Sequence, residues 1–180
     1  MKQFTAESLL EHGRQAKREH RLKYARSIFQ KALDESRSSE NRTLRGTLYA
    51  ELAYVERTLG ELEHSKTHYL LAAEACRQLD QPLRWVHNAR HAADVLREQG
   101  RRDESGRLYA EVLETYRASQ GAVRLDLANA LRGYALLKGQ TGAVEEACRL
   151  WREAGDLYHS ENVDAGVDEC AKQIAALQAT

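Results

Sequence analysis

Apolar residues recur along the chain every three or four positions, in stretches separated by short polar or glycine-containing breaks. That is the period of an amphipathic helix. From Thr43 to Thr58, Leu48, Leu52, Ala53 and Val55 form one stripe; from about Glu61 to Gln78, Leu62, Tyr69, Ala72, Ala73 and Cys76 form another. The same pattern predicts helices over Ala6–Glu19, Leu22–Ser36, Pro82–Gln99, Asp103–Ser119, Ala122–Lys138 and Ala143–His159. Pro82 suits a first helical turn, where a missing N–H costs nothing. A last helix, Val163–Leu177, places Val163, Val167, Cys170, Ala171, Ile174 and Leu177 on one face. With no segment after it, this helix is expected to cap the open end of a stack.

The stretches are copies of one another. A small residue, an aromatic four later and a small residue three after that occur as Ala25/Phe29/Ala32, Ser65/Tyr69/Ala72, Ser105/Tyr109/Val112 and Ala147/Trp151/Ala154. Successive copies start 40, 40 and 42 positions apart. Twelve residues before each lies another small residue (Gly13, Ala53, Ala93, Ala135), and five before lies His20, Gly60, Gly100 or Gly142. Glycine reaches positive φ at no steric cost and suits a tight break between helices. Each unit therefore reads as helix A, a turn and helix B. Offsets of four and seven put the triplet on one helix face; its small residues let backbones approach while the aromatic fills the space between helices.

The small–aromatic–small element, the small residue of helix A and the glycine between helices resemble the tetratricopeptide repeat (TPR) family over about residues 6 to 159. The period of 40 to 42 exceeds the family's usual 34, approaching its longer-unit members and also HEAT and armadillo arrays. The closing proline is missing from all four units. The resemblance implies an all-α fold in a single domain, 1–180: a right-handed superhelical array of four antiparallel hairpins (about 6–38, 43–79, 82–119 and 122–159) with a capping helix at 163–177. In this family, helix A of each unit lines a concave groove that holds a partner peptide. Carried over by alignment, the groove residues are Arg14, Lys17, Glu51, Tyr54, Arg57, His87, Arg90, His91, Asp94, Arg97, Asn129 and Arg132. Their point charges and histidines would suit an acidic peptide or a terminal carboxylate. Leu10 and Glu51 stand where chaperone-binding members carry their carboxylate clamp, so chaperone tails are not the expected ligand.

Composition narrows the function further. The chain of 180 residues is 42% hydrophobic and 30% charged, rich in strong helix formers, with one proline. Its formal net charge is zero, so the global positive field of a nucleic-acid-binding protein is absent. The charge is nonetheless uneven. Arg14 to Lys31 holds seven basic residues and one acid; Glu145 to Thr180 holds eight acids and three bases. Such ends could join copies into a homo-oligomer in a salt-sensitive way. Cys76, Cys148 and Cys170 have no ligand or disulfide spacing and, with no leader-like or membrane-spanning run, point to the cytoplasm. His87, His91 and Asp94 share a helix face at a spacing that zinc tolerates, but Arg90 stands among them and no fourth ligand is apparent, so neither metal nor cofactor is expected. No nucleophile elbow, phosphate loop or metalloprotease motif occurs. The expected function is a non-enzymatic protein-interaction module. A self-assembling scaffold and a stand-alone regulatory domain are the alternatives.

Overall fold

The computed structural model describes residues 5–38, 41–119, 121 and 123–179. Among these the chain is helical without strands and divides into two compact units, Met1–Gln99 and Gly100–Thr180. The first contains α1 (Ala6–Arg18), α2 (Leu22–Glu35), a 3₁₀ turn (Ser36–Ser38), α3 (Arg42–Thr58), α4 (Leu62–Arg77) and α5 (Pro82–Glu98). The second contains α6 (Arg102–Ala118), α7 (Arg124–Gln140), α8 (Val144–Ser160) and α9 (Asp164–Gln178). Each helix falls within two residues of its predicted span; the predicted start at Ala122 lies outside the described residues. No helix among the described residues is long and apolar enough to cross a membrane.

Two helices begin on side-chain caps: Thr5 Oγ1 accepts from the Ser8 amide at 3.2 Å, and Asn41 Oδ1 from the Leu44 amide at 3.0 Å. Five other starts depend on one recurring turn. The gaps between α1 and α2, α3 and α4, α5 and α6, α7 and α8, and α8 and α9 are each three residues long, and the middle residue has positive φ: His20 (57°), Gly60 (81°), Gly100 (74°), Gly142 (78°) and Asn162 (57°). In four of them the third residue's amide closes back on the preceding helix, as in Glu61 N to Glu56 O at 2.8 Å and Val163 N to Tyr158 O at 2.8 Å. This satisfies carbonyls that a helix end leaves without partners.

The triplets are packing residues. Phe29, Tyr69, Tyr109 and Trp151 are all buried, as are the small residues on either side of them. In the first unit the Phe29 ring lies flat on Gly13: a Cβ there would stand 2.4 Å from Phe29 Cε1, so only glycine fits. Ser65 is fully buried and satisfied, because its hydroxyl donates to the Ala53 carbonyl at 2.7 Å and joins helix B to the small residue of helix A. Leu9, Phe29, Leu48, Leu52 and Val55 form the centre of the first unit's core. In the second unit Trp151 and Tyr158 are buried on α8, and Tyr158 packs against Gly166 of α9. The face of α9 is narrower than its sequence suggested. Gly166 and Cys170 are buried and Ile174 and Leu177 half-buried, but Ala171 is exposed, because α8 covers only the strip centred on Gly166 and Cys170.

Candidate interaction surface on the first helices of the repeats

In the first unit the aligned groove residues of α1, α3 and α5 meet in a chain of ion pairs. Glu51 of α3 receives both basic residues of α1: Arg14 Nε donates to Oε1 at 2.7 Å and Lys17 Nζ to Oε2 at 2.5 Å. Arg14 also holds Glu11 at 2.7 Å. Six residues further along α3, Arg57 reaches α5, donating to Glu98 through Nη2 at 2.5 Å and Nε at 3.1 Å and lying 3.6 Å from Asp94. Burial opposes the charge on Arg57, but Glu98 and Asp94 outweigh it and raise its pKa. Hydrogen bonding to Glu51 raises that of Arg14. Partly exposed pairs of this kind are worth about 1 kcal/mol or less each, so their principal effect is to fix side-chain positions.

On α5, Arg90 Nη1 donates to Asp94 at 2.9 Å and Nη2 to His91 Nε2 at 2.7 Å. Since arginine only donates, the His91 proton resides on Nδ1. His91 stacks on Tyr69 with ring centroids 5.0 Å apart, and His87 stands edge-on to it. Burial, followed by the charges of Arg90, His87 and Arg57, lowers the His91 pKa to about 2. His91 is therefore a neutral ring on this surface. Its Nε2 lone pair is used by Arg90, and among the described residues no group of three His, Cys, Asp or Glu is arranged to hold a metal ion. Burial also raises the pKa of the Tyr69 phenol. Arg90 Nε, His91 Nδ1 and Arg97 Nε are buried donors without an acceptor among the described residues. Tyr54 remains 48% exposed, with Lys17 Nζ 4.7 Å from its ring centroid.

The second unit repeats the arrangement once. Arg132 of α7 grips Glu169 of α9 through Nε at 2.8 Å and Nη2 at 2.7 Å, and Asn129 Oδ1 accepts from the Tyr158 hydroxyl at 2.8 Å. Thus α9 stands to α7 as α3 stands to α1, in the place of a fifth helix A. Sequence reading found the cations but missed Glu98, Glu169 and Tyr69. A signal was present: Arg14 and Glu51, Arg57 and Asp94, and Arg132 and Glu169 are each 37 residues apart. A base followed by an acid at nearly one repeat length marks neighbouring first helices.

No curated protein sequence matches the chain. Among solved structures, BtubC (BKLC) from P. vanneervenii is 15% identical with a TM-score of 0.70, covering 96% of this chain and 79% of its own. The apo form of RapI is 12% identical with a TM-score of 0.89; the match covers 97% of this chain and 63% of RapI. The TPR-like repeats of a protein from Podosopora anserina named for the kinesin light chain are 14% identical, with a TM-score of 0.69 and coverage of 96% and 94%. These likenesses establish a TPR-like helical-repeat fold. The sequence model described as "Soluble NSF attachment protein, SNAP" matches residues 5–180, and the chain belongs to that family.

Proposed function

We propose that the chain is a non-enzymatic interaction module that holds an extended or helical segment of a partner protein against the first helices of its first compact unit, with Arg14, Lys17, Glu51, Tyr54, Arg57, Arg90 and Arg97 among the contacts. The observation that carries this reading is Tyr54: an aromatic ring 48% exposed on a wall whose surrounding charges are held in place by ion pairs. Exposed tyrosines fixed among arginines are the residue types that dominate protein interfaces. Acidic groups of the partner would share Arg14, Lys17 and Arg57 with Glu51 and Glu98, so affinity should decline with salt. The buried free thiols Cys76, Cys148 and Cys170 fit work in a reducing cytoplasm. The test is a photo-crosslinking phenylalanine placed at Tyr54 or, as a control, at exposed Leu70 of α4. Partner adducts from Tyr54 alone support the groove; equal adducts from both positions, or from Leu70 alone, refute it.

A second reading, self-assembly, is favoured by Glu161, Asp164 and Asp168. They are exposed around the α8–α9 turn and have no ion pair among the described residues. They could meet the basic surface of another copy. Light scattering from low to high salt tests it, and a constant monomer mass at low salt excludes it.

A further inference from the structure

Gly106 lies inside α6, where a glycine costs about 1 kcal/mol relative to alanine. The corresponding position, one after the first small residue of the triplet, is Arg26, Lys66 or Cys148 in the other repeats. Arg26 and Lys66 extend to Glu61 and Glu63. Packing does not require the glycine, because an added Cβ would meet Leu137 Cδ2 at an ordinary 3.6 Å. Gly106 instead lines a surface groove of about 570 Å³ between α6 and α7. Gly106, Ala110, Leu137 and the Tyr134 ring supply its apolar lining, and Arg102, Arg107 and Lys138 its cations. Lys138 is held by Glu146 at 2.9 Å and lies 4.8 Å from the Tyr134 centroid. Arg102 and Arg107 are exposed, and among the described residues their side chains have no ion pair or hydrogen bond. Arg57, Arg117 and Arg132, by contrast, each hold a carboxylate. The groove's one acid is Asp103.

We propose that this groove is a second peptide site, occupied by a short acidic segment of a partner protein that carries one apolar side chain. The carboxylates engage Arg102 and Arg107. The apolar side chain fills the notch over Gly106 against Leu137 and Tyr134. Five helical residues place the two arginines about 7.5 Å apart along the axis and about 140° apart around it, so they stand on opposite rims of the notch over Gly106. In an extended Glu-Leu-Glu segment neighbouring side chains point to opposite sides, so setting the apolar one into the notch turns both carboxylates outward, toward the exposed rims that carry Arg102 and Arg107. None of the residues of the α1, α3 and α5 wall takes part, and the site does not depend on that wall having a ligand.

The test is fluorescence anisotropy of the full chain with fluorescein-labelled Ser-Ser-Ser-Glu-Leu-Glu-Ser-Ser-Ser. Saturable binding that weakens with added salt is expected. Replacing Arg102→Gln and Arg107→Gln together should weaken it at least about tenfold, the scale of losing charge-assisted hydrogen bonds. Gly106→Leu should weaken it similarly by filling the notch, while its thermal midpoint stays at or above that of the parent, which separates blocking from unfolding. Tyr54→Ala should leave this peptide's affinity unchanged, which separates failure here from failure of the helix A wall. The proposal is overturned by absence of saturation at millimolar protein, by undiminished binding of the Gly106→Leu chain, or by equal binding of the Gln-for-Glu peptide. Polyglutamate or oligothymidylate binding as tightly as the peptide would also overturn it, reducing the groove to an indiscriminate anion patch.

Discussion

Two glycines in helix interiors carry opposite meanings. At Gly13 the neighbouring ring sits where a methyl group would go, whereas at Gly106 there is room for one. Gly13→Ala should therefore destabilise the chain by about 1–2 kcal/mol despite its gain in helix propensity, since overpacking costs about 1–3 kcal/mol. Gly106→Ala should stabilise it by up to about 1 kcal/mol. Urea unfolding of both variants checks the pair, and equal signs would contradict the packing described. His91 provides a pH signature. Its folded pKa is depressed from 6.5 to about 2, so the unfolded chain takes up a proton that the folded chain refuses. The stability is fully present above pH 6.5 and declines as pH falls, by about 1.4 kcal/mol per unit. Arg90, His87 and Arg57 press in this direction, while Asp94, 3.8 Å from Nδ1, presses weakly against it. His91→Phe keeps the stack on Tyr69 and should remove about one proton's worth of slope between pH 6.5 and 5 in unfolding measurements. Parallel curves would mean that His91 titrates normally.

At the level of elements, the five three-residue turns decide where helices stop. Three of the five positive-φ positions are glycine; His20 holds the same conformation at φ 57°, where a side chain costs about 1–2 kcal/mol. His20→Gly should recover about 1 kcal/mol, measurable as a higher denaturant midpoint, and no gain would show that the His20 side chain offsets its own strain. Helix periodicity, the triplets and Gly60, Gly100 and Gly142 were enough to place every helix, because short-range packing and turn geometry leave local traces. Asn162 gave no such trace, since asparagine is tolerated at positive φ without advertising it. Alignment also assigned Arg14, Glu51, Arg57 and Arg132 to the first helices of their repeats, but not their charge state. That Glu98 neutralises Arg57, or that His91 is neutral, follows from burial and from partners one repeat away, and the alignment was built on packing positions alone.

For the whole molecule, a net charge of zero conceals local pairing: Arg14, Lys17 and Arg57 of α1 and α3 are answered by carboxylates a repeat later, while Arg102 and Arg107 belong to the cations left unanswered among the described residues. The first compact unit has its own centre in Leu9, Phe29, Leu48, Leu52 and Val55. A fragment of residues 1–99 should therefore be helical by circular dichroism and melt cooperatively, as neighbour-only stacking allows. A featureless melt would show that the core is insufficient by itself. The equal length and conformation of the five turns have a genetic corollary. A coding segment running from one such turn to the next begins and ends on the same backbone geometry. Copying or deleting it within this chain leaves both junctions already solved. The chain can thus change its number of helices without inventing a loop.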